Sequence, residues 1–219
     1  MDLIASVACN PEVSNALIAS DFSPISRLFS ILSCGISPTL KGGVLHALAS
    51  LASSPTAAED IWQKMEAYRL VPSKVISGLD NKPTGLKLEL EAVESRMGQY
   101  PVTDGLLSLL IALLEQHPIP HTLGMGYRFP GILPYLDHIL NSVLLKASAR
   151  LYLPEGSEGE SQKFRIIAKC LRILVIILQK YPVNMLRKDL PSEAMPGSKS
   201  LEVRFFLHFE IHSFNLVYN

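Results

Sequence analysis

The chain has 219 residues, of which 48% are hydrophobic and 18% charged, with 20 basic and 20 acidic side chains in balance. That composition excludes a disordered chain, which shows the reverse ratio, and a nucleic-acid binder, which carries a basic stripe. The mean hydropathy of +0.25 is high for a small soluble domain. It fits helices buried on more than one side, or a piece of a larger body that covers them.

Four dipeptides punctuate the first seventy residues: Asn10-Pro11, Ser23-Pro24, Ser37-Pro38 and Ser54-Pro55. Asn and Ser accept a hydrogen bond from the free N–H groups of a first helical turn, and proline suits the first helical position. The four pairs therefore predict helix starts at intervals of 13, 14 and 17 residues. Each helix then has about ten residues and a short turn, which sets neighbours antiparallel. The third of these helices, Pro38 to about Ser53, sets Leu40, Val44, Leu48 and Leu51 on one face. The fourth, Pro55 to about Leu70, sets Ile61, Trp62, Met65 and Tyr68 on its apolar side. Trp62 and Tyr68 read as core rather than as a ligand box.

Val71 to Pro83 reads as a loop. Thr84 to Met97 resumes a helix, with Leu86, Leu90 and Val93 inward and Glu89, Glu91 and Glu94 outward as a solvated face. Tyr100-Pro101 opens another helix, apolar nearly all round from Val102 to Glu115. His117 to Pro134 is a Pro/Gly-rich loop, Tyr135 to Leu151 a helix, and Ser161 to Lys180 a long apolar helix ended by Tyr181-Pro182. Val102–Leu114 and Phe164–Leu178 are expected to be the most buried helices. Leu201 to Asn219, with Phe205, Phe206, Phe209 and Phe214, fits strand or helix equally.

No constellation of reactive side chains survives inspection. Gly124-Met125-Gly126 is followed next by Gly131, so G-x-G-x-x-G fails, and no strand precedes it. His117 and His121 have metal spacing, but Pro118 and Pro120 forbid the helix that spacing needs. Asp137 and His138 are helix neighbours that point apart. Cys9, Cys34 and Cys170 form no CxxC and read as free thiols of a reducing compartment. Met1-Asp2-Leu3-Ile4-Ala5 lacks the basic start of a secretory signal. Arg165, Lys169 and Arg172 interrupt the most apolar segment, so no membrane-spanning helix is expected. No catalytic, cofactor-binding or metal-ligating residue is assigned.

The order of several short segments is more specific. Ser37-Pro38-Thr39-Leu40-Lys41 leads to His46-Ala47-Leu48-Ala49 and to Ser54-Pro55 through Gln63. Then come Glu89 through Arg96, Gln99-Tyr100-Pro101-Val102-Thr103, Leu123 through Gly131, Pro134-Tyr135-Leu136 and Asn141-Ser142-Val143. Over Asn15 to Asn184 this succession resembles the large inner-ring scaffold nucleoporins of the nuclear pore complex. The resemblance implies an all-α solenoid of stacked short helices that anchors linear segments of other nucleoporins, the linker nucleoporins of the inner ring. It implies no enzyme activity, no cofactor, no small-molecule substrate, no nucleic acid bound directly, and a place at the nuclear envelope. Family members are far longer than 219 residues, so a fragment or truncated isoform is expected. Residues 1–186 would be a solenoid segment, and 187–219, where the resemblance stops, a divergent and poorly ordered tail. The alternative is a generic cytosolic helical-repeat adaptor, which periodicity alone does not separate from the first reading.

Overall fold

In a computed structural model of the chain, the residues described are Glu12, Ala16, 23–52, 54–70, 85–116, 133–145 and 158–180. The chain divides into two units, Met1–Pro182 and Val183–Asn219, and every described residue belongs to the first. The architecture is all-α, and the described residues contain no strand. The expectations for Cys9, His117, His121, Gly124–Gly126 and the tail from 187 fall outside the described residues.

The proline punctuation marks helix starts. Glu12 and Ala16 are helical just after Pro11. Helices α1 (Pro24–Leu32), α2 (Pro38–Leu51) and α3 (Pro55–Ala67) each begin on their proline. Ser37 Oγ accepts from Leu40 N, and Ser54 Oγ from Ala57 N, both at 3.3 Å. Ser23 departs from the expected cap. Its backbone is left-handed at φ 46° and its side chain caps nothing. Ser54→Ala should therefore cost about 1 kcal/mol in urea denaturation, and Ser23→Ala less than about half of that.

Helix α4 is one rod in three registers: α-helical Gly85–Leu88, π-helical Glu89–Glu94 and α-helical Ser95–Met97. Ser95 Oγ donates to Leu90 O at 2.6 Å, five residues back, which helps satisfy the widened ladder. Gly98, at φ 68°, ends the helix in the left-handed conformation that glycine adopts without strain. Helix α5 (Pro101–Gln116) follows at once. Helix α6 is α-helical over Leu133–Asp137 and π-helical over His138–Leu144, and α7 runs Glu158–Lys180.

The core lies where α2 and α5 meet, the most extensive helix contact among the described residues. Leu106, Leu107, Leu109, Leu110, Leu113 and Leu114 of α5 are all but inaccessible, as its all-round apolar sequence predicts. On α2 burial begins at Gly42 and continues through Val44, Leu48 and Leu51, whereas Leu40, expected on the same face, is exposed. Two glycines let the backbones touch. A Cβ on Gly42 would lie 2.5 Å from Pro101 O, and one on Gly105 would lie 2.7 Å from Gly42 O. Trp62 of α3 is fully buried and meets Tyr135 of α6 edge-on, with ring centroids 5.6 Å apart. Tyr68, expected in the core, is exposed, with one ring face tilted against the buried Phe29.

The polar contacts of α7 fall in order along α5. Gln162 accepts from Tyr100 N, Arg165 reaches Asp104, Lys169 reaches Ser108, and Arg172 reaches Glu115. Contacts that advance together on both helices make them parallel. Among the described helices, α7 is thus stacked parallel on the one two places before it, which is the step of a helical-hairpin array.

Candidate functional site

Two buried carboxylates organise the helix contacts, and neither role was read from the sequence. The first is Glu94, expected on a solvated face but fully buried. The π-helical register turns it inward, and the turn at Gly98 folds the next helix start over it. Its Oε1 accepts from Val102 N at 2.6 Å and Thr103 N at 3.2 Å, and its Oε2 from Thr103 Oγ1 at 2.5 Å. Glu94 is thus the cap of α5, supplied from the preceding helix to N–H groups that lack an intrahelical partner. Burial pushes its carboxyl above the ordinary value; the three hydrogen bonds oppose that shift without cancelling it. Glu89, by contrast, is half-buried and pairs with Lys41 of α2 at 2.6 Å.

The second is Asp104, buried in the first turns of α5. His46 Nε2 of α2 lies 3.2 Å from its Oδ2, while Arg165 Nε and Lys169 Nζ of α7 lie 3.1 and 2.7 Å from its Oδ1. An ionised carboxylate only accepts, so Nε2 of His46 carries the proton of that bond. Burial alone would raise this carboxyl. The hydrogen bonds from His46 and Lys169, with the charges of Lys169 and Arg165, outweigh it and hold the group well below the usual carboxylate range. A depressed carboxyl contributes stability that is present above its unfolded value near 3.8 and is lost as pH falls through the folded value. The gap in unfolding free energy between the native chain and Asp104→Asn should therefore be widest near pH 7 and shrink steadily below about pH 4.

The same cluster brings Ser108 and Lys169 together at 2.7 Å, a pairing that invites a catalytic reading. The geometry uses them otherwise. Ser108 Oγ donates to Asp104 O at 2.9 Å, and the Lys169 ammonium donates to Asp104 and Ser108. The serine proton is not aimed at a base, and the cluster clips α2, α5 and α7 together. Asp137 accepts from Asn141 Nδ2 at 2.7 Å, and the adjacent His138 is buried. Cys170 is buried, its thiol pushed up to about 12 by burial, and Cys34 is exposed. Among the described residues no cluster of three metal-binding side chains occurs. No described helix is long and apolar enough to cross a membrane.

The third feature is the outer face of α7, whose stretch Phe164–Leu178 is expected to be one of the two most buried helices. Its inner side packs through Ile166, Cys170, Ile173, Leu174 and Ile177, but Phe164, Leu171 and Val175 are 56%, 46% and 51% exposed. The sequence signal was present: the apolar residues fall on two opposite sides of the helix, and only one side is covered among the described residues.

Among the described residues these features are the helix–helix contacts and faces of a helical array, and the comparisons agree. The family described as "Nuclear pore complex scaffold, nucleoporins 186/192/205" matches residues 1–219, beyond the stretch that the short motifs cover. Nuclear pore complex protein Nup205 of Drosophila melanogaster is 35% identical over 183 residues, 83% of this chain and 8% of that protein. The protein of the same name in Homo sapiens is 30% identical over 160 residues, 73% of this chain and 8% of its own length. Nucleoporin nup186 of Schizosaccharomyces pombe is 24% identical over 196 residues, 76% of this chain and 11% of its own. The chain thus spans about a tenth of the length of these relatives. It belongs to the scaffold nucleoporins of the nuclear pore complex, the 186/192/205 family, and its place is the nuclear pore.

Proposed function

We propose that the chain is a non-catalytic scaffold segment of the pore's inner ring, which binds linker nucleoporins and supports nucleocytoplasmic transport. The observation that carries this reading is the parallel stacking of α7 on α5. The polar groups between them, Asp104, Ser108, Lys169 and Arg165, are engaged in holding helices together. An array of that kind acts by shape, offering helix faces and grooves to partner segments. The chain, tagged and incubated with nuclear-envelope extract, should enrich linker nucleoporins. Their absence beside a different, reproducible partner would discard the reading in favour of a general adaptor.

Within this proposal the scaffold is residues 1–186, and 187–219 adds nothing to its stability. Removing Leu190 to Asn219 should leave the thermal midpoint within about 2 °C and partner binding unchanged. Unfolding on deletion would make the tail an integral part of the array.

A further inference from the structure

We propose that the outer face of α7 is a docking surface for an acidic amphipathic α-helix supplied by another polypeptide. Phe164, Ala168, Leu171 and Val175 succeed one another at spacings of 4, 3 and 4 residues, the spacing of a helix–helix seam. All four are exposed. An apolar stripe of this kind on a helix already packed by its other side is a surface that a second helix covers.

The charges on α7 select the partner. Residues 161–179 contain four basic side chains and no acidic one. Lys163 is buried, and Lys169 is turned toward Asp104. Arg165 and Arg172 lie about 100° and 80° around the helix from Phe164, on one flank of the stripe, at about 100° per residue. Their side chains are 57% and 61% exposed. Arg165 meets Asp104 through Nε, which leaves its terminal amino groups for an incoming carboxylate. Arg172 meets Glu115 through Nε and one amino group. The occupant that fits is a helix whose apolar side covers Leu171 and Val175 and whose flank presents Glu or Asp to the two arginines. An anionic bilayer offers the same two chemistries, but it suits a helix with basic residues on both flanks. Here the arginines border one side only, so a helical peptide is favoured.

The inference rests on the scaffold reading, but not on the identity of the pore partner. The full chain would be titrated into two fluorescein-labelled synthetic helices, one Leu/Glu and one Leu/Lys, with binding read by anisotropy. Saturable binding of the Leu/Glu helix, weakening several-fold between about 50 and 500 mM salt, is expected. Leu171→Ser with Val175→Ser should weaken it about tenfold or more. Arg172→Glu should shift preference toward the Leu/Lys helix. All three positions are exposed, so circular dichroism should report an unchanged fold. Equal binding of both helices, no binding of either, or binding indifferent to the Leu171/Val175 pair would overturn the proposal. Sedimentation with phosphatidylserine vesicles in place of peptide binding would overturn it in favour of a membrane surface. Failure of the nuclear-envelope pull-down with peptide binding intact would discard the pore reading alone.

Discussion

Glu94→Ala should destabilise the chain by about 3–5 kcal/mol, while Glu94→Gln should cost little or nothing at neutral pH. The alanine strips the N–H groups of Val102 and Thr103 of their acceptor inside the protein, at about 1–3 kcal/mol for each buried group left unmade. It also removes the helix cap and leaves a cavity. Glutamine keeps the accepting oxygen and the shape. The raised carboxyl gives the comparison a sign. A group whose folded value lies above its unfolded value of 4.5 contributes its full stability below that value and loses it as pH rises. The advantage of glutamine should therefore grow from pH 4.5 to pH 8 in urea denaturation. A glutamine variant as unstable as alanine at pH 8 would show that the charge itself, against the helix dipole, holds α5.

Gly42→Val should cost about 4 kcal/mol, a value reached only when packing fails outright. Elsewhere in a helix, replacing glycine by alanine gains about 1 kcal/mol of propensity. At Gly42 the first added carbon already falls 2.5 Å from Pro101 O, which belongs to the backbone and cannot rotate aside. Even Gly42→Ala should therefore lose about 2 kcal/mol, the steric cost exceeding the propensity gain. Glycine to alanine at exposed Gly35, which has open space around it, is the control. A stabilised Gly42→Ala would mean that α2 and α5 cross further apart.

Helix positions were legible because proline and serine act locally. Pro24, Pro38, Pro55 and Pro101 mark starts whatever surrounds them, and each begins a helix. The family was legible through the order of short motifs. What was not legible depended on the neighbour. Glu94 looks like Glu89 and Glu91 under a regular period of 3.6 residues, and the π-helical register alone separates them. The pairing of Asp104 with His46, Arg165 and Lys169 joins residues 58, 61 and 65 positions apart, a separation at which no local pattern speaks. Helix α7 misled in the other direction. A sequence apolar around most of its circumference predicts one of the two most buried helices, whereas it records two faces, only one of them covered among the described residues.

The parallel run of α7 along α5 has a mechanical consequence. Its bonds to Tyr100, Asp104, Ser108 and Glu115 are spread over most of the length of α5. Sliding α7 by one turn, about 5.4 Å, would mismatch all of them at once. The apolar seam beneath resists such a slip only weakly, since one leucine replaces another at little cost. The ladder of directional bonds thus stiffens the contact against shear.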